Sequence, residues 1–188
     1  MAEANPNTLL VELFLSNGRV HGLTHEVRDR RRLIDVLTES SSVVRLESAR
    51  VLLGSSPAGR EFASLNVEKR AILAAIPHET QQQQRQRTML TTTVGKYETR
   101  AMRATLLLPP FIAEGSMHVP QSVGNIGDKL TADAQIFARF ISVTGAKLIL
   151  PGGTEIETPI LLVNRDLIAG ISVVDEKRAI GSALPKTA

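Results

Sequence analysis

The chain has 188 residues, which is enough for one ordinary domain or two small ones. Its formal net charge of +3 is too small to indicate a nucleic-acid or membrane surface by itself. The absence of cysteine excludes disulfides, thiol chemistry and cysteine metal sites. The N-terminus has no basic-then-apolar leader and no apolar run approaches about 18 residues, so we expect a soluble cytoplasmic protein without a membrane span.

The first apolar segment predicts a β-hairpin. Between Leu9 and Leu15, apolar residues alternate with Glu12 and Phe14, which is the pattern of a half-buried strand. Asn17-Gly18 is a strong hairpin signal, and a second strand is predicted to follow it as far as residue 27.

A short helix and a long bent strand are predicted next. Leu33 and Leu37 have the spacing of one apolar helix face, and Asp35 suits the positive end of that helix without any catalytic role. Residues 43–53 have the alternation of a strand, but its phase shifts around Ser48, which a β-bulge explains. Two short closing strands complete this half of the chain.

The second half repeats the first. Leu33–Leu37 returns as Ile126–Leu130 at an offset of 93 residues, and Asn66 matches Asn164 at an offset of 98. Similar blocks in the same order predict a tandem duplication. The predicted organisation is a first unit at 9–77, a Gln- and Thr-rich linker at 78–95, a second unit at 96–174 and a tail at 175–188.

Each unit therefore has the predicted order strand, turn, strand, short helix, long bent strand, turn, strand, strand. Aromatic residues are scarce, at 3%, so the cores must be built from Leu, Ile and Val. Bent antiparallel strands around a small aliphatic core predict an all-β fold with one short helix per unit, arranged as two small open barrels or rolls in tandem.

Short motifs give each copy a resemblance to a known family. A Leu/Ile-x-Asp-x-Leu turn follows a strand pair in both copies, a Gly-rich tip follows the bent strand, and Val163–Ile168 has the pattern Val-Asn-basic-x-x-Ile. The first copy departs, with extra residues between Asn66 and Ile72. Each copy resembles the Sm-like, SH3-like small-barrel domain of a bacterial family whose function is not established. The resemblance implies a fold and not a reaction.

His25 and His118 form one candidate polar site, because each stands three residues after a glycine that recurs in both copies. If the units packed about a pseudo-twofold axis, the two imidazoles would approach each other as a metal or pH-sensitive pair. The alternative is that both are half-exposed residues at strand ends, each satisfied by a local hydrogen bond.

An arginine-rich connector forms a second candidate site, made of Arg28, Arg30, Arg31 and Arg32. Guanidinium groups bind phosphate well, so these residues are the expected contacts if the chain binds RNA or another nucleic acid. Two observations weaken this alternative. The second copy has no charged run at the matching place, and neither copy has the loop aromatic or the closing Arg-Gly of RNA-binding Sm-type proteins.

The sequence predicts no catalytic, metal-binding or cofactor-binding residues. Its Gly-rich tips lack the Lys-Ser/Thr of a phosphate loop, and no Ser, His and acid recur together. We therefore expect a non-enzymatic protein-interaction or assembly module, whose exposed strand edges pair with another copy or with another protein.

Overall fold

The computed structural model describes residues 8–27, 32–54, 58–79, 99–120 and 139–174. These residues confirm the predicted all-β fold. Two short 3₁₀ turns are present, at Lys69–Ala71 and Arg165–Leu167. The strands and the helix run as follows: β1 Leu9–Leu15, β2 Gly18–Thr24, α1 Leu33–Thr38, β3 Val43–Leu53, β4 Arg60–Glu68, β5 Ala74–His78, β6 Thr99–Leu108, β7 Phe111–Pro120, β8 Phe140–Ile149, β9 Glu155–Asn164 and β10 Gly170–Val174.

Three predicted segments fall outside the described residues. They are the second helix at Ile126–Leu130, most of the linker and the tail from residue 175 onwards. The first helix is described and has the predicted face, because Leu33, Val36 and Leu37 are buried.

All ten strands join one antiparallel sheet, which is not closed, in the order β10-β6-β7-β8-β9-β5-β1-β2-β3-β4. The five strands of the second half have the same order as the five of the first half. We call β1–β5 unit 1 and β6–β10 unit 2. The two units meet where β5 pairs with β9, which we call the junction. Strands β4 and β10 are the outer edges of the sheet.

The first hairpin turns one residue earlier than the Asn-Gly signal predicts. Leu15 pairs directly with Gly18, so that Ser16 and Asn17 are the two turn residues. Glycine is required at position 18 for a different reason, since a Cβ there would lie 2.3 Å from the carbonyl oxygen of Leu52. The following strand ends at Thr24, three residues before the predicted end.

The predicted bulge is present in both units. Ser48 has a φ of 48° and Gly145 a φ of 53°, both in the left-handed region. The β2–β3 and β7–β8 ladders each shift register on the partner strand beside these residues. The bulge reverses which residues of β3 face inward, which explains the phase shift in the sequence.

The closing strands correct one part of the predicted alignment. Glu68 pairs with Val43 at the start of β3, and Asn164 pairs with Phe140 at the start of β8. Because Val43 and Phe140 are equivalent when the bulges are superposed, the counterpart of Asn164 is Glu68. The predicted match between Asn66 and Asn164 is therefore wrong by two residues.

This register also removes the departure of unit 1 from the closing motif. Val67–Ile72 has the same length as Val163–Ile168, and in both a 3₁₀ turn follows the second residue. Unit 1 therefore has no extra residues in this motif, and it has Glu68 in place of the asparagine.

The two hydrophobic cores are interlocked across the junction. The core of unit 2 includes Phe14, Ala74 and Ile76 from unit 1, and the core of unit 1 includes Phe140 and Leu162 from unit 2. Strands β5 and β9 consequently contribute to both cores. β1 is buried on both faces from Val11 to Phe14, so the predicted half-buried strand is wrong for this segment.

Candidate interaction site at the strand edges

The junction shows how one unit binds another. Ala74 pairs with Val163 and Ala75 with Leu162 in an antiparallel ladder. Asn164 is buried beside this ladder, and its backbone N–H donates to the carbonyl of Leu73 at 2.9 Å. Its side-chain Nδ2 donates to the carbonyl of Ile72, also at 2.9 Å. The two units are thus aligned by strand pairing, and the buried side-chain amide of Asn164 forms a hydrogen bond at the end of the ladder.

An aromatic pair closes one face of the junction. The ring of Phe14, which projects from β1 of unit 1, meets the ring of Phe111 in unit 2 with centroids 5.8 Å apart and planes at 77°. This edge-to-face arrangement is a favourable geometry for aromatic rings and adds to the apolar area that both rings bury.

The junction ladder is short, and a cleft of about 270 Å³ opens beyond it. Its lining includes Ile76, Ile156, Ile160 and His78. Prolines stand on both walls, at Pro77 in β5 and Pro159 in β9. Proline has no N–H to donate to a ladder, which explains why pairing ends after two residue pairs.

The outer edges are the counterparts of the two junction strands. β4 corresponds to β9 by its pairing with the bent strand of its unit, and β10 corresponds to β5 by its pairing with the first strand. Most side chains of β4 are exposed, whereas the last four residues of β9 are buried. Each unit therefore has one edge, of the kind paired at the junction, that no described strand covers.

The two candidate histidines each contact a partner in their own unit. His25 Nε2 lies 2.9 Å from Glu47 Oε2, and His118 Nε2 lies 3.1 Å from Thr144 Oγ1. Glu47 and Thr144 occupy equivalent places beside the two bulges. The units follow each other head to tail in the sheet, rather than about a twofold axis, and four strands separate β2 from β7 in the sheet order.

Among the candidate arginines, the structure describes Arg32, and the other three lie outside the described residues. Arg32 immediately precedes α1, and its guanidinium donates to both carboxylate oxygens of Asp35, at 3.0 and 3.2 Å. This hydrogen bond raises the pKa of Arg32 above its ordinary value. Asp35 also accepts from the backbone N–H of Arg32 at 2.9 Å, so its role at the helix start is structural, as predicted.

A polar cluster that the sequence analysis missed lies on unit 1 near the cleft. Glu12 is buried, and its carboxylate is 3.3 Å from Arg19, 3.2 Å from His21 and 3.7 Å from His78. Burial lowers the pKa of His21, and Arg19, His78 and Arg50 lower it further against the opposing effect of Glu12. A lone acid inside an apolar strand was the available signal, but its partners come from β2 and β5.

A second missed residue is Lys69, which is fully buried. Its Nζ donates to the carbonyl of Val36, to the carbonyl of Glu39 at 3.3 Å and to Ser41 Oγ at 2.7 Å. The ammonium group thus satisfies carbonyls at the C-terminal end of α1, where a cation is favoured. This role is structural.

The described residues contain no group of three or more His, Asp or Glu side chains arranged to hold a metal ion. No helix within them is long and apolar enough to cross a membrane. Comparisons with known protein families, with curated proteins and with solved structures gave no match.

Proposed function

We propose that this chain is a non-enzymatic protein-interaction or assembly module, built from two copies of one Sm-like β unit. Its binding elements are the outer edges of the sheet, β4 and β10. An extended segment of a partner adds to one of these edges as a further strand, with main-chain hydrogen bonds giving affinity and side chains giving selectivity.

One observation carries the proposal. The chain pairs two of its own unit edges at the junction, and no strand among the described residues pairs with the equivalent two edges. An uncovered strand presents a row of backbone donors and acceptors that another chain can pair. The shared bulges, at positions 97 residues apart, and the shared strand order support the idea that both halves are copies of one unit.

The alternative, nucleic-acid binding through Arg28, Arg30, Arg31 and Arg32, gains no support from the residue that is described. The guanidinium of Arg32 already donates two hydrogen bonds to Asp35, and a bound phosphate would need the same N–H donors. The proposed interaction function therefore does not use the arginine-rich connector.

The test compares edge variants with connector variants of the full chain. Ser64→Lys on β4 and Ser172→Lys on β10 place a charge at exposed positions of the two edges. We expect these changes to reduce the complexes that the chain forms in extracts of its native cell, measured by size-exclusion chromatography and quantitative co-purification. Replacing the four connector arginines by Ala should leave the complexes unchanged.

The same proteins should be titrated with a labelled single-stranded RNA by fluorescence anisotropy at low and physiological salt. We expect no binding at either salt concentration. Binding that weakens steeply with salt and is lost with the connector arginines would replace the proposed function by the nucleic-acid alternative.

A further inference from the structure

The outer edges β10 and β4 are equivalent to the junction strands β5 and β9. A second copy of the chain is therefore the first partner to consider, with β10 of one copy beside β4 of the other. β10 pairs with β6 in the register with which β5 pairs with β1. In a dimer of this kind, β4 of the second copy would pair with β10 in the way that β9 pairs with β5 within one chain. Whether it does so depends on the side chains that would meet there.

The side chains of β4 do not reproduce those of β9. At the places where β9 has Ile160 and Leu162, which pack against the core of unit 1, β4 has exposed Ser64 and Asn66. Burying these polar groups against an apolar edge costs free energy unless each finds a partner. The β4 surface therefore lacks the apolar contacts of the junction.

Two further junction contacts have no counterpart at the outer edges. Phe111, which receives the ring of Phe14, corresponds to Gly18 in unit 1, because both residues begin the second strand of their unit. Asn164, which donates its side-chain N–H to a carbonyl across the junction, corresponds to Glu68. An ionised carboxylate cannot donate this hydrogen bond, so it would face a carbonyl without compensation.

β10, in contrast, keeps the properties of an edge that receives a strand. Residues 170–174 have no charge, whereas charged residues are the usual protection of a free edge. Leu107, on the neighbouring strand β6, is the equivalent of Phe14 and pairs with Gly170 of β10. Its side chain is 45% exposed, so an apolar group lies beside this edge and is open to contact. Ile171 and Val173 pack against the unit 2 core from the other side.

We propose that β10 is the docking edge of this protein and that its partner is a strand from another polypeptide with the chemistry of β9. Such a strand has consecutive apolar residues that point alternately to the two faces and ends in an asparagine. β4 of a second copy is not this partner. The inference rests on the proposed interaction function and identifies the edge and the partner.

The test titrates the full chain with two labelled peptides by fluorescence anisotropy. One peptide carries residues 155–164, the sequence of β9, and the other carries residues 60–68, the sequence of β4. We expect saturable binding of the first peptide and no binding of the second. Sedimentation velocity should show a monomer at concentrations where the first peptide is half bound.

Variants of the full chain locate the bound peptide. Leu107→Lys should weaken the binding of the 155–164 peptide by about tenfold or more, because one well-placed side chain is commonly worth about 1.4 kcal/mol or more at an interface. Ser172→Lys, at an exposed position on the docking edge itself, should also weaken it. Leu10→Lys is the matched control, since Leu10 is 44% exposed on β1, which does not adjoin the docking edge. Far-UV circular dichroism checks that each variant folds.

The outcomes separate this inference from the proposed function. Equal binding of the two peptides, or concentration-dependent oligomers that Ser64→Lys abolishes, would show that a second copy is the partner. If neither peptide binds but the edge variants still disrupt native complexes, the β9-like partner is excluded and the interaction function stands. If the edge variants leave native complexes intact, the proposed function itself fails.

Discussion

The buried polar side chains of this chain are satisfied by residues from several strands, and Glu12 is the clearest case. Its carboxylate lies on β1 and receives Arg19 and His21 from β2 and His78 from β5. Taking a carboxylate out of water is costly unless cations and hydrogen bonds replace its hydration. None of these partners recurs in unit 2, where the equivalent of Glu12 is Thr105.

This cluster predicts a pH dependence of stability. The pKa of His21 is lowered from 6.5 in the folded protein, chiefly by burial. The unfolded chain therefore binds a proton at this residue more readily, and the free energy of unfolding should fall as the pH drops below 6.5. The decrease should level off once the pH is below the folded pKa.

Urea unfolding at several pH values above and below 6.5 measures this effect. His21→Gln should make the free energy of unfolding less dependent on pH in this window. His118→Gln is the comparison in unit 2, because the His118 imidazole is exposed and contacts the hydroxyl of Thr144. An unchanged pH profile in His21→Gln would show that other groups determine the acid sensitivity.

At the scale of single elements, β4 and β9 occupy equivalent positions in their units but have different environments. β9 is paired on one side with β8 and, near its end, on the other side with β5, whereas β4 pairs with β3 and has no described strand on its other side. Asn164 is buried at the end of β9, and Asn66 is exposed in β4. Strand position, and not residue type, decides what each asparagine does.

Changing these two asparagines separates the two roles. Asn164→Asp keeps an oxygen that can accept from the N–H of Asp166 but removes the donor to the carbonyl of Ile72. We expect it to lower the free energy of unfolding by about 1–3 kcal/mol, the cost of an unsatisfied buried polar group. Asn66→Asp is the matched control and should change stability little. Equal effects in urea unfolding would argue against the junction role of Asn164.

Most elements of the fold could be predicted from local sequence. The bent strand at Val43–Leu53 and the first hairpin follow from apolar alternation and turn residues, which act over short distances. The end of β4 and the register of Asn66 could not be predicted in this way. Matching asparagines suggested one alignment, while the pairing of β4 with β3 imposes another.

At the scale of the whole molecule, the interlocked cores make the two units depend on each other. Phe14 of unit 1 is 1% exposed within the core of unit 2, and Phe140 of unit 2 is 1% exposed within the core of unit 1. A unit on its own would expose such side chains and lose those of its neighbour. We therefore expect the two units to unfold together in a single cooperative transition.

Phe14→Ala tests this dependence. The change removes a ring from the neighbouring core and leaves a cavity, so we expect a loss of about 3–5 kcal/mol in the free energy of unfolding. Phe62→Ala on the outer edge, where the ring is 39% exposed, should cost less. Urea unfolding followed by circular dichroism should show one transition in both variants. Two separate transitions would mean that the units fold independently.

The candidate site was predictable only in kind. Repeated β units with strand edges follow from the sequence, because alternation and repetition are local properties of the chain. The sequence did not indicate which edges remain open, because edge exposure depends on the pairing of β5 with β9, which are distant in the chain. The same holds for Glu12 and Lys69, whose partners come from other elements.

The sequence by itself determined most strands of the described units and the bulge at Ser48, because these follow from side-chain alternation and backbone preference over a few residues. The tertiary structure alone decided that the units share one sheet and two interlocked cores. It also decided that β1 is buried on both faces and that β4 and β10 end the sheet formed by the described strands. The physical reason is that strand pairing and core packing join residues far apart in sequence, and their free energy depends on which surfaces meet.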